Sequence, residues 1–164
     1  MLRLPYRWWD YAVLAIGAGI AVIELVYTIV YWSHLPSKVP THFGVFGTPD
    51  AWGSRDHVFV LPIVTIVMYV GTLFLTRIPH YFNYPTAVTS ENAPAVYALG
   101  RLLVEIITGM ELPILLFVLQ RGMIRAALGV QTGLGSFLIL VVALLGVITI
   151  VAFIPMFLRA GRGR

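Results

Sequence analysis

The chain contains no cysteine. That excludes disulfides, thiolate metal sites and thiol nucleophiles, and it leaves the redox compartment open. Charge is also scarce: Asp, Glu, Lys and Arg make up 11% of 164 residues, against about a quarter in a soluble domain. No lysine/arginine run of the length a nucleic-acid patch needs is present, so no nucleic-acid partner is expected. The net charge of +4 is better read as membrane topology. H-E-x-x-H, G-x-S-x-G, a Walker loop and a dinucleotide fingerprint are all missing. The spacing of Ser33, Ser37, Ser54, Ser90 and Ser136 to any histidine recommends none of them as a nucleophile. These absences weigh against an enzyme, and no cofactor is expected.

What the chain has in abundance is hydrophobicity, with 59% apolar residues and a mean hydropathy of +0.90. A span needs about 20 apolar residues to cross about 30 Å of hydrocarbon. Four segments qualify: 11–32, 58–76, 102–119 and 137–158. The third extends into a helix over 95–127, with Asn92 as N-cap and Ala93 and Pro94 in its first turn. The first run is too long for the apolar part of a signal peptide and lacks a small-x-small cleavage site, so it is read as an uncleaved helix. The expected fold is an all-α integral membrane protein of one domain, 1–164. It is a four-transmembrane-helix bundle with a structured Pro/Gly-rich first loop over 33–57. Arg3, Arg7, Arg77, Arg159, Arg162 and Arg164 fall on one side; Lys38, Arg55, Arg121 and Arg125 fall on the other. That bias places both termini in the cytoplasm and the first loop outside.

That first loop is the most individual stretch of the chain. Pro36, Pro40 and Pro49 restrict φ, and Gly44, Gly47 and Gly53 permit tight turns. The candidate binding residues are Pro40, His42, Phe43, Gly47, Asp50, Trp52, Gly53 and Arg55. For His42 two readings stand: it locks the loop by hydrogen bonds, or it meets a ligand. Asp50 in Thr-Pro-Asp-Ala-Trp-Gly suits a turn that bonds backbone N–H groups. His34, His42 and His57 share a side with Asp50 and Asp56, yet their spacing matches no compact metal motif, and no metal is expected.

Inside the spans, polar residues fall on stripes. Glu24, Thr28 and Tyr31 share a face of the first helix; Thr65, Tyr69, Thr72 and Thr76 share one on the second; Arg101, Glu105 and Thr108 share one on the third. Glu111 lies about a third of a turn from that last stripe, and the fourth span offers only Thr149. A charge at the membrane centre costs about 2.5–3.5 kcal/mol. The expectation is a buried polar network of Glu24, Arg101, Glu105 and Glu111, with Arg101–Glu105 as a structural pair that Glu24 joins. A proton-relay, metal or ligand role for these carboxylates, or an interface with another subunit, stays open. Gly17 and Ala21 would let the first helix approach a neighbour closely, and Pro113 frees the Gly109 carbonyl.

The pattern Leu35-Pro36 … Val39-Pro40-Thr41-His42-Phe43 … Gly47-Thr48-Pro49-Asp50-Ala51-Trp52-Gly53-Ser54-Arg55 resembles a bacterial membrane-protein family of unknown function related to the SdpI-type immunity proteins. The segments Phe82-Asn83-Tyr84-Pro85 and Thr89-Ser90-Glu91-Asn92 are similar to stretches that often follow in that family. The resemblance implies a multi-pass protein of the bacterial inner or plasma membrane. It further implies a non-enzymatic, ligand-recognition, immunity-like or signalling role through the extracytoplasmic loop. In the best-known members that role is resistance to a secreted membrane-active peptide toxin, coupled to sequestration of a transcriptional repressor. Gly44 stands where the family commonly has asparagine, Arg55 replaces lysine, Pro94 enters where polar helix formers are usual, and four spans are fewer than SdpI-type proteins carry. The partners implied are membrane lipid, a peptide toxin or other membrane subunits, including further copies of the chain. Two alternatives remain: an accessory subunit of a larger membrane complex, and a small membrane enzyme or proton-coupled carrier built on Glu24, Glu105 and Glu111.

Overall fold

A computed structural model describes residues 5–162, the Ser136 and Leu138 side chains excepted. Arg3 and Arg164, which entered the charge bias, lie outside the described residues. Among the described residues, four helices are long and apolar enough to cross a membrane: Trp8–Trp32, Arg55–Leu75, Ala93–Ala127 and Ile139–Gly161. The chain is a multi-pass, mainly helical membrane protein, as the length and hydropathy of the four runs lead one to expect.

Helix α1 (Trp8–Trp32) begins where Asp10, in its first turn, accepts the Arg7 N–H at 2.6 Å and so satisfies an orphan donor. A short 3₁₀ turn (Arg55–Phe59) leads into α2 (Val60–Leu75). The third span is α3 (Ala93–Ile106), a π turn (Ile107–Glu111) and α4 (Leu112–Ala127). Pro113 explains the π turn: it has no N–H to give, so the regular hydrogen-bond ladder cannot pass and the preceding turn widens. Helix α5 (Ser136–Gly161) completes the bundle. Asn92 holds the expected N-cap position, with Pro94 in the first turn, and only its side chain behaves differently: it does not cap α3. Its Oδ1 accepts the Thr89 N–H at 2.8 Å, and its Nδ2 donates to the carbonyls of Ala87 at 3.0 Å and Gly161 at 3.2 Å, tying the loop to the end of α5.

The polar stripes are the buried faces. Ala21, Glu24 and Thr28 of α1, Thr65, Thr72 and Thr76 along α2, and Arg101 and Glu105 of α3 are all shielded, while the opposite faces present Ile, Val and Leu to lipid. Helix α1 packs on α2 and α4 and crosses the π turn, where a Cβ on Gly17 would lie 1.6 Å from the Gly109 carbonyl oxygen. Glycine is required there for the backbones to meet. Tyr69 donates to the Leu14 carbonyl at 2.8 Å, and Thr72 to the Thr108 hydroxyl at 2.8 Å. Helix α5 leans on α3 and α4 and is the most lipid-exposed span, with 6% of its apolar window buried against 17–22% for the others. Near its end, Phe153 and Phe157 pack with Val96 and Tyr84. Burial, and then the neighbouring Tyr97, hold the Tyr84 hydroxyl above the usual tyrosine range, which keeps it a donor to the Pro79 carbonyl at 2.6 Å.

Between α1 and the 3₁₀ turn, the stretch expected as a structured Pro/Gly-rich loop is an antiparallel β-hairpin of β1 (Lys38–Phe43) and β2 (Pro49–Ser54). Pro40 faces Trp52 and His42 faces Ala51 across a bulge. Each strand of a two-stranded sheet has an open edge, so the prolines forfeit no ladder partner. The turn closes through Gly44 N–H to Thr48 O and Gly47 N–H to Gly44 O, both 2.8 Å, with Gly47 at φ 76°. The hairpin is anchored at both ends. Arg55 donates its N–H to the Ser37 carbonyl at 3.1 Å, and Leu134 of the α4–α5 loop donates to the Gly47 carbonyl at 3.0 Å.

Candidate functional site

The hairpin roofs a half-open cavity of about 340 Å³. Its walls are Thr41, His42 and Phe43 from β1, His57 from the 3₁₀ turn, Val60 and Leu61 of α2, Leu119 and Met123 of α4, and Leu134. The β1 bulge is what lets three consecutive side chains reach the same space. Below it, Leu35, Val39, Val58, Met123 and Ile124 form an apolar core that fixes the hairpin to the helices.

Two imidazoles give this cleft its chemistry. His42 Nδ1–H donates to Asp50 Oδ1 at 2.5 Å, a carboxylate that sets the tautomer and leaves Nε2 as an acceptor. His57 Nδ1–H donates to the Ser54 carbonyl at 3.0 Å, with the same result. Gly53 lies under that ring: a Cβ there would come within 2.8 Å of Thr41 Cγ2 and 3.2 Å of His57 Nδ1. The cleft is therefore an apolar slot with two oriented acceptors and one hydroxyl, Thr41. No serine lines it. Among the described residues, no three His, Asp or Glu side chains converge to hold a metal.

The other loop residues have different places. Pro40 is buried behind the strands; Trp52 points outward and is 55% exposed. Gly47 forms the tip. Arg55 stacks its guanidinium 4.4 Å over Trp32, whose Nε1 donates to Asp56 at 3.2 Å. So the structure brings together His42, Phe43 and Asp50 at the cleft, with Gly53 beneath His57, and leaves Trp52 and Arg55 outside it.

Within the membrane, the four residues expected as one network occupy three places. Arg101, 4% exposed, donates to Asp10 Oδ2 at 2.9 Å and to the Pro5 carbonyl at 3.0 Å, and lies 4.3 Å over the Tyr6 ring. Glu105 sits against the same guanidinium, 3.7 Å away, so two acids share one base. Glu24 does not join them, being 14 positions along α1 from Asp10, about 21 Å of helix rise. It lies beside Thr65, and neither of its carboxylate oxygens has a hydrogen-bond partner among the described residues. Glu111 turns away to α5, where Thr149 donates to it at 2.7 Å. Six positions separate it from Glu105, more than one and a half turns, so the two carboxylates leave the span on different faces.

Two residues that the stripe argument passed over complete the picture. Asp10, 1% exposed, is the true partner of Arg101. Its signal is an acid beside the Trp8-Trp9 belt at the mouth of a span that faces an arginine-bearing one. Gln120, fully buried, donates to the Thr28 hydroxyl at 2.7 Å and the Val58 carbonyl at 2.9 Å; Thr28 in turn donates to the Glu24 carbonyl at 2.8 Å. Its signal is a lone amide at the end of an apolar run.

Comparison with known proteins falls on the hairpin end of the bundle. Residues 19–66 match the model of a domain of unknown function, DUF1648. That stretch holds Glu24, Thr28, the hairpin, His57, Val58 and Thr65, and omits Asp10, Arg101 and Gln120. An uncharacterized protein of Archaeoglobus fulgidus is 36% identical over 75 residues, covering 41% of this chain and 40% of that protein. The chain thus spans about two fifths of the length of the curated relative it matches. No solved structure matches. The chain is similar, through its first span and hairpin, to a membrane-associated domain of unknown function.

Proposed function

We propose that the protein recognises an amphipathic extracytoplasmic ligand, a membrane-active peptide being the leading class, in the cleft beneath the hairpin. On this reading it is an immunity-like or signalling protein of the SdpI-related kind in a bacterial inner membrane, with both termini cytoplasmic and no catalytic step of its own. The observation that carries the proposal is the cleft itself: about 340 Å³, lined mainly by apolar side chains, with His42 and His57 in its wall and each Nδ1 engaged elsewhere. Such a slot takes an apolar side chain and pairs donors of the ligand with the imidazoles. Four arginines or lysines flank each end among the described residues, so the outward orientation of the hairpin leans on Arg3 and Arg164 as well.

The test is survival of cells producing the protein when challenged with a cationic amphipathic peptide. Leu119→Trp, which fills the cleft, and His42→Ala should each abolish protection at matched membrane levels. Equal protection by all three proteins would sink the proposal. A second reading is that the chain is a subunit of a larger assembly, favoured by the sparse burial of α5. Purification as a stoichiometric complex would support it. The proton-carrier reading rests on Glu24, Glu105 and Glu111, each with a buried carboxylate oxygen lacking a hydrogen-bond partner among the described residues. Glutamate-to-glutamine variants that merely lose stability would argue against it.

A further inference from the structure

At the end of the bundle opposite the hairpin, two adjoining cavities of about 380 and 310 Å³ open between the start of α1 and the first turns of α3. Both are lined by Arg7, Ala95, Ala98 and Arg101, so they form one groove. Its upper wall is basic and aromatic: the exposed Arg7 guanidinium sits 5.0 Å over the Trp9 ring, beside the buried Arg101. Its floor is apolar, running along Leu99 and Leu102 to Met156 of α5. Alanines at 95 and 98, one turn apart, keep the floor low.

The electrostatics single out Arg7. Asp10 also lines the groove, but its Oδ2 is engaged by Arg101 and by the Arg7 amide. Glu105 lies against Arg101 as well. Arg7 forms no ion pair among the described residues, which leaves it as the cation on offer to a ligand. A cation beside an interfacial tryptophan, above an apolar trough between helices, matches a phospholipid: head at the membrane surface, chain along the helices. A free phosphate would have no use for the trough.

We propose that this groove holds one anionic phospholipid, its phosphate at Arg7 and an acyl chain against Leu99, Leu102 and Met156. The test is native mass spectrometry of the full chain in mild detergent, supplied in parallel with phosphatidylglycerol, phosphatidylcholine or inorganic phosphate. Wild type should retain phosphatidylglycerol about fivefold more than phosphatidylcholine, the size of effect one interfacial arginine supplies. Arg7→Gln, an exposed change that leaves the helix intact, should erase that preference. Ala98→Phe, which fills the trough and keeps Arg7, should remove bound lipid of both kinds. Equal retention of the two lipids by wild type would overturn the proposal. So would a preference that survives Arg7→Gln, or displacement of the lipid by inorganic phosphate alone. If Ala98→Phe fails to fold, Arg7→Gln decides by itself.

Discussion

Arg101 and Gln120 belong to the same membrane span and do the same mechanical task at its two ends, by opposite means. Arg101 ties the span to the start of α1 with a charged clamp: Asp10 and Glu105 around one guanidinium, roofed by Tyr6. Gln120 ties it to the far end of α1 and the 3₁₀ turn before α2 with a neutral amide that reaches Thr28 and Val58. A buried ion cluster is stable as a set and hazardous in parts, because removing one member strands the charge of the others in hydrocarbon. An amide costs less to bury and less to lose. The charged end therefore depends on every member being present, and the hairpin end is expected to lose less when its amide is removed. The domain match lies over the hairpin end.

The contrast can be broken most forcefully at Arg101. Arg101→Met leaves two buried acids without their base and is expected to cost about 3–5 kcal/mol, seen as loss of folded protein in thermal denaturation in detergent. Adding Asp10→Asn should recover part of that loss; no recovery would mean the arginine acts by packing alone. Gly17→Val comes next, at about 1–3 kcal/mol, since its Cβ meets the Gly109 carbonyl on the α1 crossing between the two anchors. Both ends should loosen together in hydrogen exchange. Gln120→Leu sharpens the comparison: it strands the Val58 carbonyl but no charge, for about 1–2 kcal/mol. A cost equal to that of Arg101→Met would show that charge is not what separates the ends. Asp50→Asn should be the smallest in stability, under about 1 kcal/mol, because the His42 and Asp50 side chains are 70% and 48% exposed. Its effect should appear in ligand protection instead.

Hydropathy and helical spacing carry most of the fold. The four spans follow from run length, and Glu24, Thr28, Thr65, Thr72, Thr76, Arg101 and Glu105 lie inward as their i, i+4, i+7 spacing indicates. The hairpin was not legible, because Pro40 and Pro49 depress any strand reading and the bulge spoils the alternation of sides. The acid that Arg101 pairs with was hidden for another reason: helical spacing finds neighbours on one helix, and Asp10 is on another, 91 positions away. The cleft under the hairpin needs Leu134, Leu119 and His57 from three different elements, a juxtaposition no local pattern contains.

The π turn has a consequence for how one span can serve two anchors. Arg101 and Gln120 are 19 positions apart. At about 100° per residue, an unbroken α-helix would leave their side chains about 100° out of phase, one aimed at α1 and the other at a different neighbour. A π turn absorbs about one residue, which leaves about 18 helical steps, five complete revolutions. The widened turn before Pro113 thus acts as a gear tooth that resets the azimuth of everything beyond it. A straightened helix could grip one end of α1 or the other, but not both.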